Sequence, residues 1–336
     1  MTEVLIFFAK FAISFLFIAA LILIIAVLVF KSTHRPEIEL ESLNQKYNDL
    51  KTALQSMTLS RGDLKKERKK QKKEAKEAKE SDDKVKHVFV LNFDGDLRAS
   101  QIENLREEIT AILQVASPDD EVVLKLESPG GVVHSYGHAA SQLQRIRDHK
   151  IFLTVCVDEV AASGGYMMAC VGNQILAAPF AIVGSIGVLA QVPNLNRLLK
   201  KHDVDFKEYT AGEFKRTVTV LGEITPQKEQ KFLERIQDTH QLFKQFVLNH
   251  RPQLDLNLVA TGDYWFGEEA LKLGLVDQLR TSDDYLLRKV AEKAQIISVK
   301  IEHKKPLADK LSNLLGKSAK KVFETALQTN NNLKFP

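Results

Sequence analysis

Hydrophobic and polar positions change period several times along this chain, and each change marks a predicted element. From Phe11 to Phe30 no charge interrupts a run of mostly Ile, Leu, Phe, Val and Ala. At about 1.5 Å per residue, a helix of that length spans roughly 30 Å, the hydrocarbon thickness of a bilayer. A cleaved signal peptide has a shorter apolar stretch, about 7–15 residues, ending in small residues. Here the run ends in VFKSTHR, so the pattern predicts a retained single transmembrane anchor over 11–30. Heptads follow. Leu40, Tyr47, Leu54 and Arg61 share one repeating position, and Leu43, Leu50, Met57 and Leu64 the other. A period of 3.5 predicts a helical stalk over 31–64 with a seam for self-association. Residues 65–86 have almost no apolar side chains and predict a solvated charged linker.

From His87 onward, short apolar runs alternate with amphipathic stretches. VFVLNF, EVVLKLE and IFLTVCV read as strands, with helices SQIENLREEITAILQVA and SYGHAASQLQRIRDH between them. This is the pattern of βαβ units on a parallel sheet with right-handed crossovers. The fold class read from it is α/β, with the main domain over 87–300. Tyr166–Val192 is apolar enough to suggest a second span. Asn173, Gln174, Pro179 and several glycines break it, so buried helix and strand is the expectation. A long helix is predicted over Thr225–Arg251, and a basic amphipathic tail over 301–336.

Charge narrows the function classes. Residues 1–86 hold 17 Lys and Arg against 12 Asp and Glu, whereas the rest hold 30 against 31. A near-neutral main body lacks the basic footprint of a nucleic-acid binder. Cys156 and Cys170 stand in apolar surroundings without metal-ligand spacing and read as buried free thiols.

Candidate chemistry lies just after two predicted strands, where sites form in open α/β sheets. ESPGG (127–131) follows one strand and DEVAASGGY (158–166) the other. Together they supply Ser163 at a helix start and two candidate oxyanion donors, the amides of Gly131 and Gly164. A histidine base is not evident: His202 lies in a polar helix, and His134 and His138 read as cleft-lining or surface residues. The G-x-S-x-G elbow is not met either, because position 161 is Ala.

The motifs ESPGG, VAASGGYMMA, GSIGV, AGEFKR and GDYWFGEEALKLGLVD, in this order, resemble the S49 signal peptide peptidases over roughly residues 87–280. The resemblance implies a Clp protease/crotonase-like fold and a Ser–Lys dyad. In that scheme Ser163 is the nucleophile, Lys215 the general base, and Ser185 the residue that orients the Lys amine. One departure is Asp263, where members of the family often carry Arg. An unperturbed lysine, with a pKa near 10.4, is almost wholly protonated at pH 7. A lysine base therefore needs a desolvating pocket, which Phe214 and GSIGV are expected to build.

The resemblance implies a membrane-anchored serine endopeptidase acting on apolar peptides such as signal-peptide remnants or on membrane proteins. It implies no metal or cofactor. Expected partners are substrate, membrane lipid and further copies of the chain, but no nucleic acid. The competing readings are a crotonase-like CoA-ester enzyme and an inactive membrane scaffold. Lys31, Arg35 and Lys46 outweigh Lys10 beside the anchor, which favours a cytoplasmic body. The resemblance favours the periplasmic face of a bacterial inner membrane. Long translocated domains override local charge, so the outer face is the expectation.

Overall fold

The computed structural model describes residues 6, 10, 15–22, 37–60, 62–67, 69 and 85–302. The chain divides into two compact units, Leu40–Lys300 on the one hand and Met1–Glu39 with Ile301–Pro336 on the other. The strands are β1 (Glu37–Ser42), β2 (His87–Asp94), β3 (Glu121–Glu127), β4 (Phe152–Val157), β5 (Val160–Ala162), β6 (Gln174–Ala177), β7 (Ile182–Gly184), β8 (Tyr264–Phe266), β9 (Gln278–Leu279) and β10 (Gln295–Glu302). The longer helices are α1 (Leu43–Thr58), α2 (Ile102–Leu113), α3 (Val133–Asp148), α6 (Pro226–His250) and α9 (Ser282–Ala291). Between them lie the short α4 (Gly164–Ala169), α5 (Asn196–Lys201), α7 (Leu256–Val259) and α8 (Gly267–Lys272).

Seven strands form one sheet in the order β1-β10-β2-β3-β4-β6-β9. Every pairing from β10 to β9 is parallel, as the alternating pattern predicted. The strands read as continuous apolar runs because both faces are covered. Alternate residues Phe89, Leu91 and Phe93 join the larger core with α2 and α3. Their neighbours Val88 and Val90 join a second cluster with Tyr285 and Leu286 of α9. Cys156 and Cys170 are buried free thiols, and burial pushes both well above the ordinary thiol pKa.

The predicted stalk needs correction. Glu37–Ser42 is a strand, in keeping with the period-2 alternation of polar and apolar residues in EIELES, although Ile38 and Leu40 stay exposed. Ser42 then caps α1 by accepting from the Gln45 amide at 3.4 Å. The first turn of α1 docks on the body. Leu43 is buried in the second cluster, Tyr47 packs against it, and Asn44 bonds both the Ala294 carbonyl and the Ile296 amide. Leu50, Leu54 and Met57 remain exposed, and the helix ends at Thr58, before Arg61 and Leu64.

Of the predicted anchor over 11–30, residues 15–22 are helical and exposed, and the rest lie outside the described residues. Among the described residues no helix is long and apolar enough to cross a membrane. Most of the 65–86 linker and the tail beyond Glu302 also lie outside them.

A second, three-stranded sheet, β5-β7-β8, carries the site. Its strands β5 and β7 run parallel, and β7 and β8 antiparallel.

Candidate active site

Ser163 stands between the end of β5 and the first turn of α4, with φ +52° and ψ −117°. A residue with a Cβ pays for that left-handed backbone, so neighbouring bonds must hold it. Two loops do so. On one side the Ser163 amide donates to the Gly184 carbonyl at 2.8 Å, which ties the residue to β7. On the other, the ESPGG turn runs alongside β5: the Ser128 amide donates to the Val160 carbonyl at 2.8 Å and the Ala162 amide to the Ser128 carbonyl at 3.0 Å. A Cβ built on Gly130 would lie 2.8 Å from the Ser163 Cβ and 2.7 Å from the Gly164 amide, so the two turns are in close contact.

This packing brings together three of the residues singled out in the sequence. Gly131, Ser163 and Gly164 line one small cavity of about 20 Å³. Gly164 is the first residue of α4, where an amide has no partner within the helix. Neither the Gly131 nor the Gly164 amide donates a hydrogen bond to another described residue. Two free N–H groups beside a side-chain hydroxyl can stabilise negative charge developing on a carbonyl oxygen.

Val133, Met167, Val188, Thr239 and Phe243 line this cavity and also a larger one of about 710 Å³. The larger wall is mostly apolar, with Phe232, Ile236, Leu242 and Phe246 contributed by α6. A cavity of this size suits an apolar side chain or a short peptide segment. Helix α6 lies where the predicted helix over Thr225–Arg251 falls, and it also supplies one wall of the site. Its apolar stripe at helical spacing was the available signal. His134 also lines the larger cavity and is exposed, as is His138; His202 ends α5 and is exposed.

Ser185 and Lys215 are placed differently. Ser185 also has a left-handed backbone, φ +50°, and its hydroxyl faces the Gly262 carbonyl at 3.4 Å. Lys215 is exposed, and its amine makes no hydrogen bond or ion pair among the described residues. The residues before it are held by one face of α6. Gln227 donates to Glu213 at 2.8 Å, Arg235 to the Phe214 carbonyl at 3.2 Å, and the Lys231 ammonium lies 5.7 Å from the Phe214 ring centre. Phe214 therefore faces α6, and the desolvating pocket expected around Lys215 is not built by these groups in the single chain.

Comparison with known proteins gives two family matches, Peptidase family S49 N-terminal over residues 1–143 and Peptidase family S49 over 145–296. The probable protease SohB of Haemophilus influenzae is 52% identical over 295 residues, which is 84% of this chain and 83% of that protein. The probable protease SohB of Buchnera aphidicola subsp. Schlechtendalia chinensis is 44% identical over 297 residues, 84% of this chain and 96% of that protein. Among solved structures, a variant of the membrane-bound stomatin-specific protease 1510-N is similar with a TM-score of 0.37 at 18% identity. It covers 61% of this chain and 85% of that one.

Proposed function

The chain belongs to peptidase family S49 and is a peptidase, and from that premise we propose that it is a serine endopeptidase with a Ser163–Lys215 dyad. The observation that carries the reading is Ser163 held in a strained turn beside the free amides of Gly131 and Gly164. Neutral Lys215 takes the Ser163 proton, and the hydroxyl oxygen attacks the peptide carbonyl. The amides of Gly131 and Gly164 hold the oxyanion, and protonated Lys215 returns its proton to the leaving amine. Water then hydrolyses the acyl-enzyme. Ser185 orients the amine in this scheme. Because Lys215 is exposed in the single chain, its desolvation comes from bound peptide or from a second copy of the chain.

The larger cavity, which shares Val133, Met167 and Phe243 with the small cavity at Ser163, supports a large apolar side chain near the scissile bond as the substrate preference. The uncharged run over 11–30 supports a membrane-anchored enzyme, in this reading in the bacterial inner membrane with the body on the periplasmic face, where signal-peptide remnants and membrane proteins are within reach.

Three variants test the dyad. Ser163→Ala abolishes hydrolysis of a fluorogenic apolar peptide and labelling by a fluorophosphonate, while circular dichroism stays that of the parent. Lys215→Arg is as inactive as Lys215→Ala, because guanidinium keeps its proton throughout the accessible pH range. Parent-like turnover in Lys215→Arg would show that another group is the base. A parent enzyme whose Ser163 resists the fluorophosphonate would favour a crotonase-like site, which needs no nucleophile.

A further inference from the structure

Behind the ESPGG turn lies a buried hydrogen-bond chain that the dyad scheme does not use. The Gly130 amide donates to the Ser128 hydroxyl at 3.1 Å, and that hydroxyl lies 2.6 Å from the Tyr136 hydroxyl. Tyr136 donates to the Asp96 carbonyl at 2.7 Å. Since Tyr136 has spent its single proton on Asp96, Ser128 is the donor between the two hydroxyls. The chain thus runs one way, from Gly130 N–H through Ser128 and Tyr136 to the loop after β2. Both side chains are fully buried. Burial also pushes the Tyr136 hydroxyl above its ordinary pKa, against the opposing hydrogen bond from Ser128, so the donor stays protonated.

The same tyrosine ring fills the space where a side chain would stand at both oxyanion glycines. A Cβ at Gly131 would overlap the Leu97 carbonyl and come within 2.8 Å of the ring, and a Cβ at Gly164 would overlap the ring itself. Tyr136 is therefore the common surface against which the two donor residues are seated. Leu97 closes the arrangement by accepting from the Val132 amide at 2.9 Å. The bond to Ser128 occupies the Gly130 amide, whereas the next amide, that of Gly131, has no hydrogen-bond partner among the described residues.

We propose that Ser128 and Tyr136 are positioning residues for the oxyanion site, fixing the Gly131 and Gly164 amides at the separation that a tetrahedral intermediate requires. This rests on the dyad reading above, in which those amides bind the oxyanion. Misplacing such donors by a fraction of an ångström weakens the transition state and leaves ground-state binding alone.

The test uses the full chain carrying Tyr136→Phe, which keeps the ring and deletes the hydroxyl. We expect kcat to fall by about tenfold to a hundredfold, with KM within about twofold of the parent. Affinity for a peptide aldehyde, whose adduct with Ser163 carries an oxyanion, falls in step with kcat/KM. An unreactive peptide binds Ser163→Ala and Ser163→Ala/Tyr136→Phe equally. Parent-like kcat, or a loss matched by equally weaker binding of the unreactive peptide, overturns the proposal. Should Tyr136→Phe not fold, Ser128→Ala is read in the same way. Turnover surviving in Ser163→Ala would instead overturn the dyad reading. A dead Ser163→Ala with a fully active Tyr136→Phe overturns this inference alone.

Discussion

A left-handed backbone costs an L-residue with a Cβ about 1–2 kcal/mol, and Ser163 bears this cost at the point where β5 turns into α4. That strain is separable from the chemistry. Ala in place of Gly ordinarily stabilises by about 0.4–1 kcal/mol through the unfolded chain, but only where φ is negative. At position 163 the order reverses: both Ser163→Gly and Ser163→Ala are inactive, yet the Gly variant is the more stable by about 1 kcal/mol. Urea unfolding of the two checks this, and an Ala variant more stable by the usual margin would show that the turn is unstrained. At this scale the motif around Ser163 was legible because glycines after a strand admit close backbone approach. Tyr136 was not, since in SYGHAASQL it reads as one more apolar position of an amphipathic helix. The exposure of Lys215 was also hidden, because its surroundings are set by contacts between α6 and the segment before it.

Strands β2, β3 and β4 announce themselves because both of their faces are buried, so apolar residues dominate elements of six to eight residues. Strands β5, β7 and β8 have three residues each, too few for any period to show, although they hold the site. Helix α1 shows two periodicities competing for the same residues. Its heptad positions split into a docked pair, Leu43 and Tyr47, and an exposed set, Leu50, Leu54 and Met57. The two sets respond differently to substitution. Leu43→Ala removes a core side chain and lowers unfolding stability by about 2–4 kcal/mol. Leu54→Asp leaves stability within about 0.5 kcal/mol but lowers the sedimenting mass if the exposed set forms a seam between copies. An unchanged mass for Leu54→Asp would show that this face does not assemble the protein.

Across the whole molecule, Glu121 ties the start of β3 to distant elements. Its carboxylate accepts from Thr154 of β4 at 2.8 Å and from the Lys289 and Lys86 ammonium groups at 2.9 and 3.0 Å, and Tyr285 donates to it as well. Burial alone would push the Glu121 pKa up. The hydrogen bonds from Tyr285 and Lys289, with the Lys289 charge, outweigh burial and hold it below the ordinary value. A depressed carboxylate contributes stability that is present above its unfolded pKa, about 4.3, and lost as pH falls through the folded value. Urea midpoints should therefore drop on acidification below about pH 4.3. Glu121→Gln should flatten that drop while costing about 3 kcal/mol at pH 7, because the largely buried Lys289 ammonium keeps only Glu292, at 3.6 Å, as a carboxylate partner; an identical acid slope in the variant would place the titrating group elsewhere. The sheet order has a consequence for how the protein comes into being. Strand β10 lies between β1 and β2, so the last described strand fills an interior place bounded by two strands made far earlier. During synthesis the loops around Ser163 can gather before residue 190 has left the ribosome, but β2 keeps an open edge until residues 295–302 emerge. A peptidase laid out in this way completes its sheet only once residues 295–302 have been made, and until then the growing chain carries that edge of β2 unpaired.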